Sequence, residues 1–301
     1  MELSDRSTAI ASALDWTMPK VSRRHRIWRI VRDNPLGMVG LTIVLVLVLV
    51  AISAPLTSPY SPDDLLVGPQ LLDPTMEHPF GTDDLGRDML SRVMYGARIS
   101  LMVGLFSVVF GTVAGTVVGI VAGYVGGILD AIISRIVDMA IAFPALLLLL
   151  ILRQIMGPSA QTLVIAIGIA IIPGVARVVR GEVVSQRNNQ YVEAAITLGA
   201  STPRILFLHI APNIAALAII VMTSLLGAAV LAEAALSFLG LGIPSSVTWG
   251  GDVNAARLSQ HATIAWAFFP GAAIALTVLG FSLFGDALRD IADPRLRTRR
   301  Q

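Results

Sequence analysis

Residues 191–213 read "YVEAAITLGASTPRILFLHIAPN": a mixed-polarity helix, a glycine turn and a second helix start, set between two long apolar runs. The 301-residue chain around them is 55% hydrophobic and 14% charged, where a soluble domain carries about 25% charged residues. Its mean hydropathy is +0.76. This is the composition of a membrane protein. The meaning of the short polar element depends on which side of the bilayer it occupies.

A membrane-crossing helix needs about 20 mostly apolar residues. Six stretches meet that length: Leu36 to Leu56, Ile99 to Tyr124, Ile136 to Met156, Thr162 to Val179, Ile210 to Ala232 and Ala262 to Gly285. The expected fold is all-α and polytopic, with six transmembrane helices. Lys and Arg collect in cytoplasmic segments. Here they stand before the first span (Lys20, Arg23, Arg24, Arg26, Arg29, Arg32), between the fourth and fifth (Arg177, Arg180, Arg187, Arg204) and after the last (Arg289, Arg295, Arg297, Arg299, Arg300). The segment between the first two spans is acidic instead, with Asp63, Asp64, Asp73, Glu77, Asp83, Asp84 and Asp88. Six spans with both termini cytoplasmic satisfy all these positions and place residues 191–213 in the cytoplasm.

The chain then divides into a cytoplasmic tail with a basic amphipathic helix (1–34), a first span with an extracytoplasmic loop (35–98), a five-helix core (99–290) and a basic cytoplasmic tail (291–301). A cytoplasmic loop at about 186–209 interrupts the core. In "SRRHRIWRIVRDN" (22–34), Ile27, Ile30 and Val31 share one helical side with arginines around the rest, the pattern of a helix lying among lipid headgroups. Residues 1–20 are polar and mixed, so no cleavable signal is expected.

Several chemistries are excluded. No cysteine is present, which removes disulfides, thiolate metal sites and cysteine nucleophiles. The histidines, His25, His78, His209 and His261, fall in different segments. G-x-x-x-x-G-K-[ST], H-E-x-x-H and G-x-S-x-G are all lacking, so no cofactor, metal or catalytic residue is expected on this chain. A net charge of +2 gives no argument for nucleic acid, and "RILFLHIAP" is too apolar for a DNA-reading helix. No acidic relay lies at mid-membrane, which weighs against an ion-coupled carrier.

Within the spans, Gly111, Gly115, Gly119, Gly123 and Gly127 recur every four residues. On a helix they form a groove without side chains that admits another backbone, either as static packing or as a moving contact in a transport pathway. Pro144, Pro173 and Pro270 are expected to kink or interrupt spans three, four and six. Arg135 and Asp138, three apart on one helix, are expected to pair locally. Glu233 lies about 35 Å along the fifth span from residue 210, near the outer surface, where it either meets substrate or partner or is solvated.

In the quoted stretch, Asn188 and Asn189 suit a helix cap, and Glu193 suits the first turn. Tyr191, Ala195 and Leu198 line one face, with Ala194 beside them. Small residues at 194, 195 and 199 keep that surface low. Gly199 suits a helix C-terminus, and Pro203 the first turn of the next helix. The element is a docking surface for a protein partner, tied directly to the fifth span.

At this point a resemblance becomes specific. "EAAITLGA" (193–200), followed by "HIAPN" (209–213), resembles the EAA loop of permease subunits of bacterial ABC importers. The E-A-A-x-x-x-G core matches at Glu193, Ala194, Ala195 and Gly199. "FGTDDLGRDMLSRVMYGARISL" (80–101), "AEAALSFLGLGIP" (232–244), "WGGDVNAAR" (249–257) and "PGAAIALTVLGFSLFGDALRDIADPRLR" (270–297) resemble the C-type permeases of dipeptide, oligopeptide and nickel importers. "FSLFGDALRD" stands where "FNLLGDGLRD" is more usual, and "HIAPN" where "HILPN" is. The resemblance implies a type I ABC importer permease fold in the bacterial inner membrane. Its partners would be a second, B-type permease, two ATPase subunits carrying ATP and Mg, and an extracytoplasmic binding protein. It assigns ATPase coupling to Glu193, Ala194, Ala195, Leu198, Gly199, Ala200 and Pro203. Glu233, Ser237 and Phe238 become candidates for the pathway or its outer gate. Thr82, Asp83, Arg87 and Asp88 become either structural turns held by Asp–Arg pairs or a face met by the binding protein.

Overall fold

The computed structural model describes residues 32, 34–244 and 246–292. The basic helix expected over 22–34 and the tail over 291–301 lie outside them, apart from residues 32, 34, 291 and 292. The helices are α1 (Pro35–Thr57), α2 (Met89–Val125), α3 (Gly127–Ala142), α4 (Ala145–Met156), α5 (Ala160–Arg187), α6 (Gln190–Thr197), α7 (Thr202–Leu241), α8 (Trp249–Leu258) and α9 (Ile264–Ala292). Among the described residues the only strand-like pairing is a bridge between Thr82 and Asp88. Helices α1, α2, α5, α7 and α9 are long and apolar enough to cross a membrane; α3 and α4 meet that test only as a pair, bent by 92° at their junction, as a broken span or a re-entrant loop does.

The bend falls at Phe143–Pro144, where Phe143 is extended (φ −79°, ψ 131°). Proline disfavours a helical conformation in the residue before it. By contrast, Pro173 and Pro270 lie inside α5 and α9, which continue through them without interruption. Around Pro173 the helix is held by its neighbours: Ile171 and Val175 are seated on Gly111 and Gly115 of α2. Such packing keeps a proline-containing membrane helix continuous.

Helix α2 begins at Met89, well before Ile99, because Asp88 caps it: its Oδ2 accepts the Ser91 N–H at 2.8 Å. At 1.5 Å per residue its 37 residues span about 55 Å, more than the roughly 30 Å of a hydrocarbon core. Helix α8 was not marked by hydropathy. Thr248 starts it, its Oγ1 accepting the Gly251 N–H at 3.1 Å.

Close backbone approach organises the bundle. A Cβ on Gly111, Gly115, Gly119 or Gly123 would lie 2.7–2.9 Å from the carbonyl oxygen or side chain of Gly168, Ile171, Val175, Ala176, Val179, Arg180 or Val183 on α5. The stripe is thus the seat of α5. Gly127 does not extend it; it opens α3 at φ +61° with nothing near its Cβ position. A second close approach joins α1 to α9, where a Cβ on Gly40 would meet the Gly280 carbonyl oxygen at 2.7 Å. Four apolar clusters fill the core, and two of them bear on the site. One joins α2, α4, α5 and α7 around Val103, Leu149, Leu163, Ile167 and Leu236. The other joins α5, α6 and α7 around Val179, Val192 and Ile210.

Candidate functional site

Helix α6 stands at the end of the bundle where α5 finishes and α7 begins. Asn189 occupies the cap position, but its side-chain amide donates to Gln186 Oε1 at 3.2 Å instead of capping the first turn. The helix ends as the turn chemistry requires. Gly199 has φ +80°, and the Ala200 N–H reaches back to the Ala195 carbonyl at 3.0 Å, a left-handed stop that favours glycine.

Val192 is fully buried among Val175, Val179 and Val183 of α5 and Ile205, Ile210 and Ile214 of α7, with Ala195 and Ala200 packed beside it. Ala195, one of the residues expected on the docking face, is half-buried against this core and helps anchor the helix, while Tyr191 and Leu198 of that face are exposed. The outward surface includes Tyr191, Glu193, Ala194, Ile196, Leu198 and Gly199, continued by exposed Pro203. Leu198 is 86% exposed. Val192 escaped the sequence reading; its signal is the Val192–Ala195 spacing of three, one helical turn. The valines that hold Val192 are also the side chains that face Gly115, Gly119 and Gly123. The row of α5 residues therefore touches both α6 and the glycine stripe.

The opposite end is a network of buried charges. Asp83 Oδ1 accepts the backbone N–H groups of Leu85 and Arg87, both at 2.9 Å, and Oδ2 accepts Arg87 Nε at 2.6 Å. Thr82 Oγ1 donates to the Pro69 carbonyl at 2.5 Å and accepts the Leu72 N–H at 3.0 Å. Asp88 holds His78 Nδ1 at 3.0 Å as well as capping α2. Thr82, Asp83 and Asp88 are buried, and their polar atoms bind the loop to itself and to α2. Arg92 extends the network to α8, with Nε at 3.0 Å and Nη2 at 2.5 Å from Asp252 Oδ1, and Nη1 at 2.9 Å from the Pro62 carbonyl. Burial pushes the Asp252 carboxyl up, against the pull of the Arg92 charge. Trp249 Nε1 donates to the Val93 carbonyl at 2.8 Å. Breaking a buried ion pair from one side costs about 3–5 kcal/mol, so Arg92→Ala is expected to lower the thermal midpoint of the purified protein sharply. Replacing both partners, as Arg92→Met with Asp252→Leu, is expected to recover most of that loss.

Glu233 is fully buried, not solvated at the outer surface. Ser237 Oγ donates to its Oε1 at 2.7 Å, and Ser100 and Thr248 approach the same carboxyl. Phe238 lies under the Arg257 guanidinium, 4.9 Å from the ring centroid. These three candidates share the end of α7, which closes in a π-helical turn, Ser237–Leu241, with Gly240 at φ +80°. Arg153, from α4, finishes that end by donating to the carbonyls of Leu241 at 2.8 Å and Gly242 at 2.7 Å. The expected Arg135–Asp138 pair is replaced by a longer-range one, because Asp138 pairs with Arg177 of α5. Among the described residues no three acidic or histidine side chains converge as metal ligands do.

Residues 115–298 match the family model described as the binding-protein-dependent transport system inner membrane component, a stretch that includes α6, the α5 valine row and Glu233. The chain belongs to this family. Residues 22–74 of the permease also match the N-terminal transmembrane domain of oligopeptide transport permease C. The permease is 41% identical over 279 residues to a dipeptide transport system permease protein of Alkalihalophilus pseudofirmus, covering 92% of each chain. It is 40% identical over 269 residues to an oligopeptide transport system permease protein of Bacillus subtilis, covering 88% of each. A glutathione transport system permease protein of Escherichia coli is 38% identical over 296 residues, covering 97% of this permease and 98% of that one. The protein is a multi-pass inner-membrane permease subunit of an ABC transporter and not an enzyme.

Proposed function

We propose that this permease forms half of the translocation pathway of an ATP-driven importer of short peptides. A second, B-type permease supplies the other half. Two ATPase subunits, which carry ATP and Mg, dock on α6 from the cytoplasm, and an extracytoplasmic binding protein delivers the solute at the opposite end. The observation that carries this reading is α6: Val192 anchors it in the α5–α7 core while Leu198 projects, 86% exposed, with nothing among the described residues covering it. Such a helix passes a push from outside directly into two spans. The basic residues flanking the spans support a cytoplasmic placement of α6.

In this assembly ATP binding closes the ATPases, α6 moves with them, and α5 and α7 carry the displacement along the bundle until the paired permeases open outward. Peptides are the solute class named for several relatives, and that naming supports the assignment here. The glutathione permease among them keeps a second reading in view, a small peptide-like thiol, and importers of nickel chelates, opines or oligosaccharides use similar subunits. Mass spectrometry of the ligand that co-purifies with the partner binding protein tests the assignment. A short peptide is the expected result. A metal chelate or a sugar would overturn the peptide assignment and leave the importer architecture intact.

A further inference from the structure

Three arginines on α5 hold the α2–α3 hairpin. Arg180 binds both carboxylate oxygens of Asp130, through Nε to Oδ1 and through Nη2 to Oδ2 at 2.7 Å. Arg177 pairs with Asp138. Arg187 Nη1 donates to the Tyr124 carbonyl at 2.9 Å at the end of α2, and its guanidinium lies 5.8 Å from the centre of the Tyr124 ring. Residues 177, 180 and 187 follow the helical repeat, so the three side chains share one face of α5. The last of them stands just before α6.

We propose that Arg177 and Arg180 tie α3 to the helix that carries α6, so that α3 travels with α6 during the transport cycle. The proposal rests on α6 being the ATPase-docking element. Packing does little to place α3: of its 16 residues only Val137 is buried. A cavity of about 140 Å³ remains between α2, α3 and α5, lined by Gly119, Ala122, Ile133, Val137 and Ala176 among others. A well-packed interface would leave no such gap. Charge therefore sets the position of α3. Arg177–Asp138 is half exposed and weak on its own. Arg180–Asp130 is the stronger member, less exposed and engaged through two bonds. Near a bilayer an unpaired charge is costly, so α3 follows α5 instead of parting from it. Beyond the Phe143–Pro144 bend, Arg153 in the last turn of α4 is bound to the Leu241 and Gly242 carbonyls. The tie thus reaches from α6 to the far end of α7. Asp130, Asp138, Arg177 and Arg180 are positioning residues for coupling.

The test uses the complete transporter in proteoliposomes, with solute uptake and ATP hydrolysis measured together. Arg180→Asp is expected to lower uptake per ATP at least about fivefold, the low end of coupling between linked sites, while assembly and basal hydrolysis persist. Combining it with Asp130→Arg is expected to restore uptake. The chain has no cysteine, so Asp130→Cys with Arg180→Cys gives one selective cross-link through a short bis-maleimide. Uptake that survives this link supports joint movement of α3 and α5; uptake stopped by it overturns the proposal, even where Arg180→Asp fails to assemble. Normal uptake by Arg180→Asp, with Leu198→Asp inactive in the same assay, overturns this proposal alone. Normal uptake by Leu198→Asp overturns the docking reading and this proposal with it.

Discussion

Gly115→Leu is expected to yield no assembled permease. A Cβ at this position would lie 2.7 Å from Val175 Cβ and 2.8 Å from the Ile172 carbonyl oxygen. The second neighbour is backbone and cannot rotate away. Overpacking a core by a methylene or two already costs about 1–3 kcal/mol. Leucine adds more, at a seat repeated one turn away in each direction by Gly111 and Gly119. Helix association in a bilayer relies on such close packing, so α2 and α5 would separate and the valine row that anchors α6 would lose its backing. Gly115→Ala is the graded form, with a loss of about 1–3 kcal/mol. Gly181 of α5 is the control, because a Cβ there meets nothing within 4 Å. Gly181→Ala is expected to be neutral, or stabilising by up to about 1 kcal/mol through helix propensity. Detergent thermal melts and the yield of membrane-inserted protein read all three. Normal assembly of Gly115→Leu would contradict the α2–α5 interface.

The second large effect is of the opposite kind, harmless to this chain and severe for the complex. Leu198 is exposed on the free permease, so Leu198→Asp removes no internal contact and its melting temperature is expected to match that of the parent. In a docked complex the leucine would be covered. Covering it contributes about 1.5–3 kcal/mol, and a carboxylate in its place adds an unpaired buried charge. A total of at least about 3 kcal/mol weakens ATPase binding by roughly a hundredfold. Gly199 separates backbone from bulk at the same edge. Its φ of +80° is tolerated by asparagine better than by most residues, so Gly199→Asn is expected to keep the helix end. Gly199→Trp adds bulk where this chain has open space and a partner would not.

Much of this architecture is visible in the amino acids, for reasons that are local. The long apolar runs mark the spans, and the four-residue glycine period marks a groove. Turn chemistry at Gly199 and Pro203 marks where α6 ends and α7 begins. What escaped depends on distant neighbours. Depth counted along one helix puts Glu233 near the outer surface, in contact with substrate or partner or in solvent, whereas Ser100 and Thr248 on other segments approach its buried carboxyl. Asp138 has Arg135 three residues away, yet its partner is Arg177, brought near only by the seating of α5 on α2. Pro144 breaks its span and Pro173 does not, since only the latter is clamped by glycine-mediated packing on both sides. Thr82, Asp83 and Asp88 read as either turns or a docking face; their side chains are spent on the loop. Val192 carries only the weak signal of its three-residue spacing to Ala195, and what covers it comes from α5 and α7.

The most direct measurement of the central claim is ATP-driven solute uptake and ATPase co-purification for the Leu198→Asp permease, beside its own melting temperature. The account predicts an unchanged melt, loss of the ATPase subunits from the purified complex, and no uptake. A Leu198→Asp permease that retains its ATPases and imports at the parent rate would contradict it.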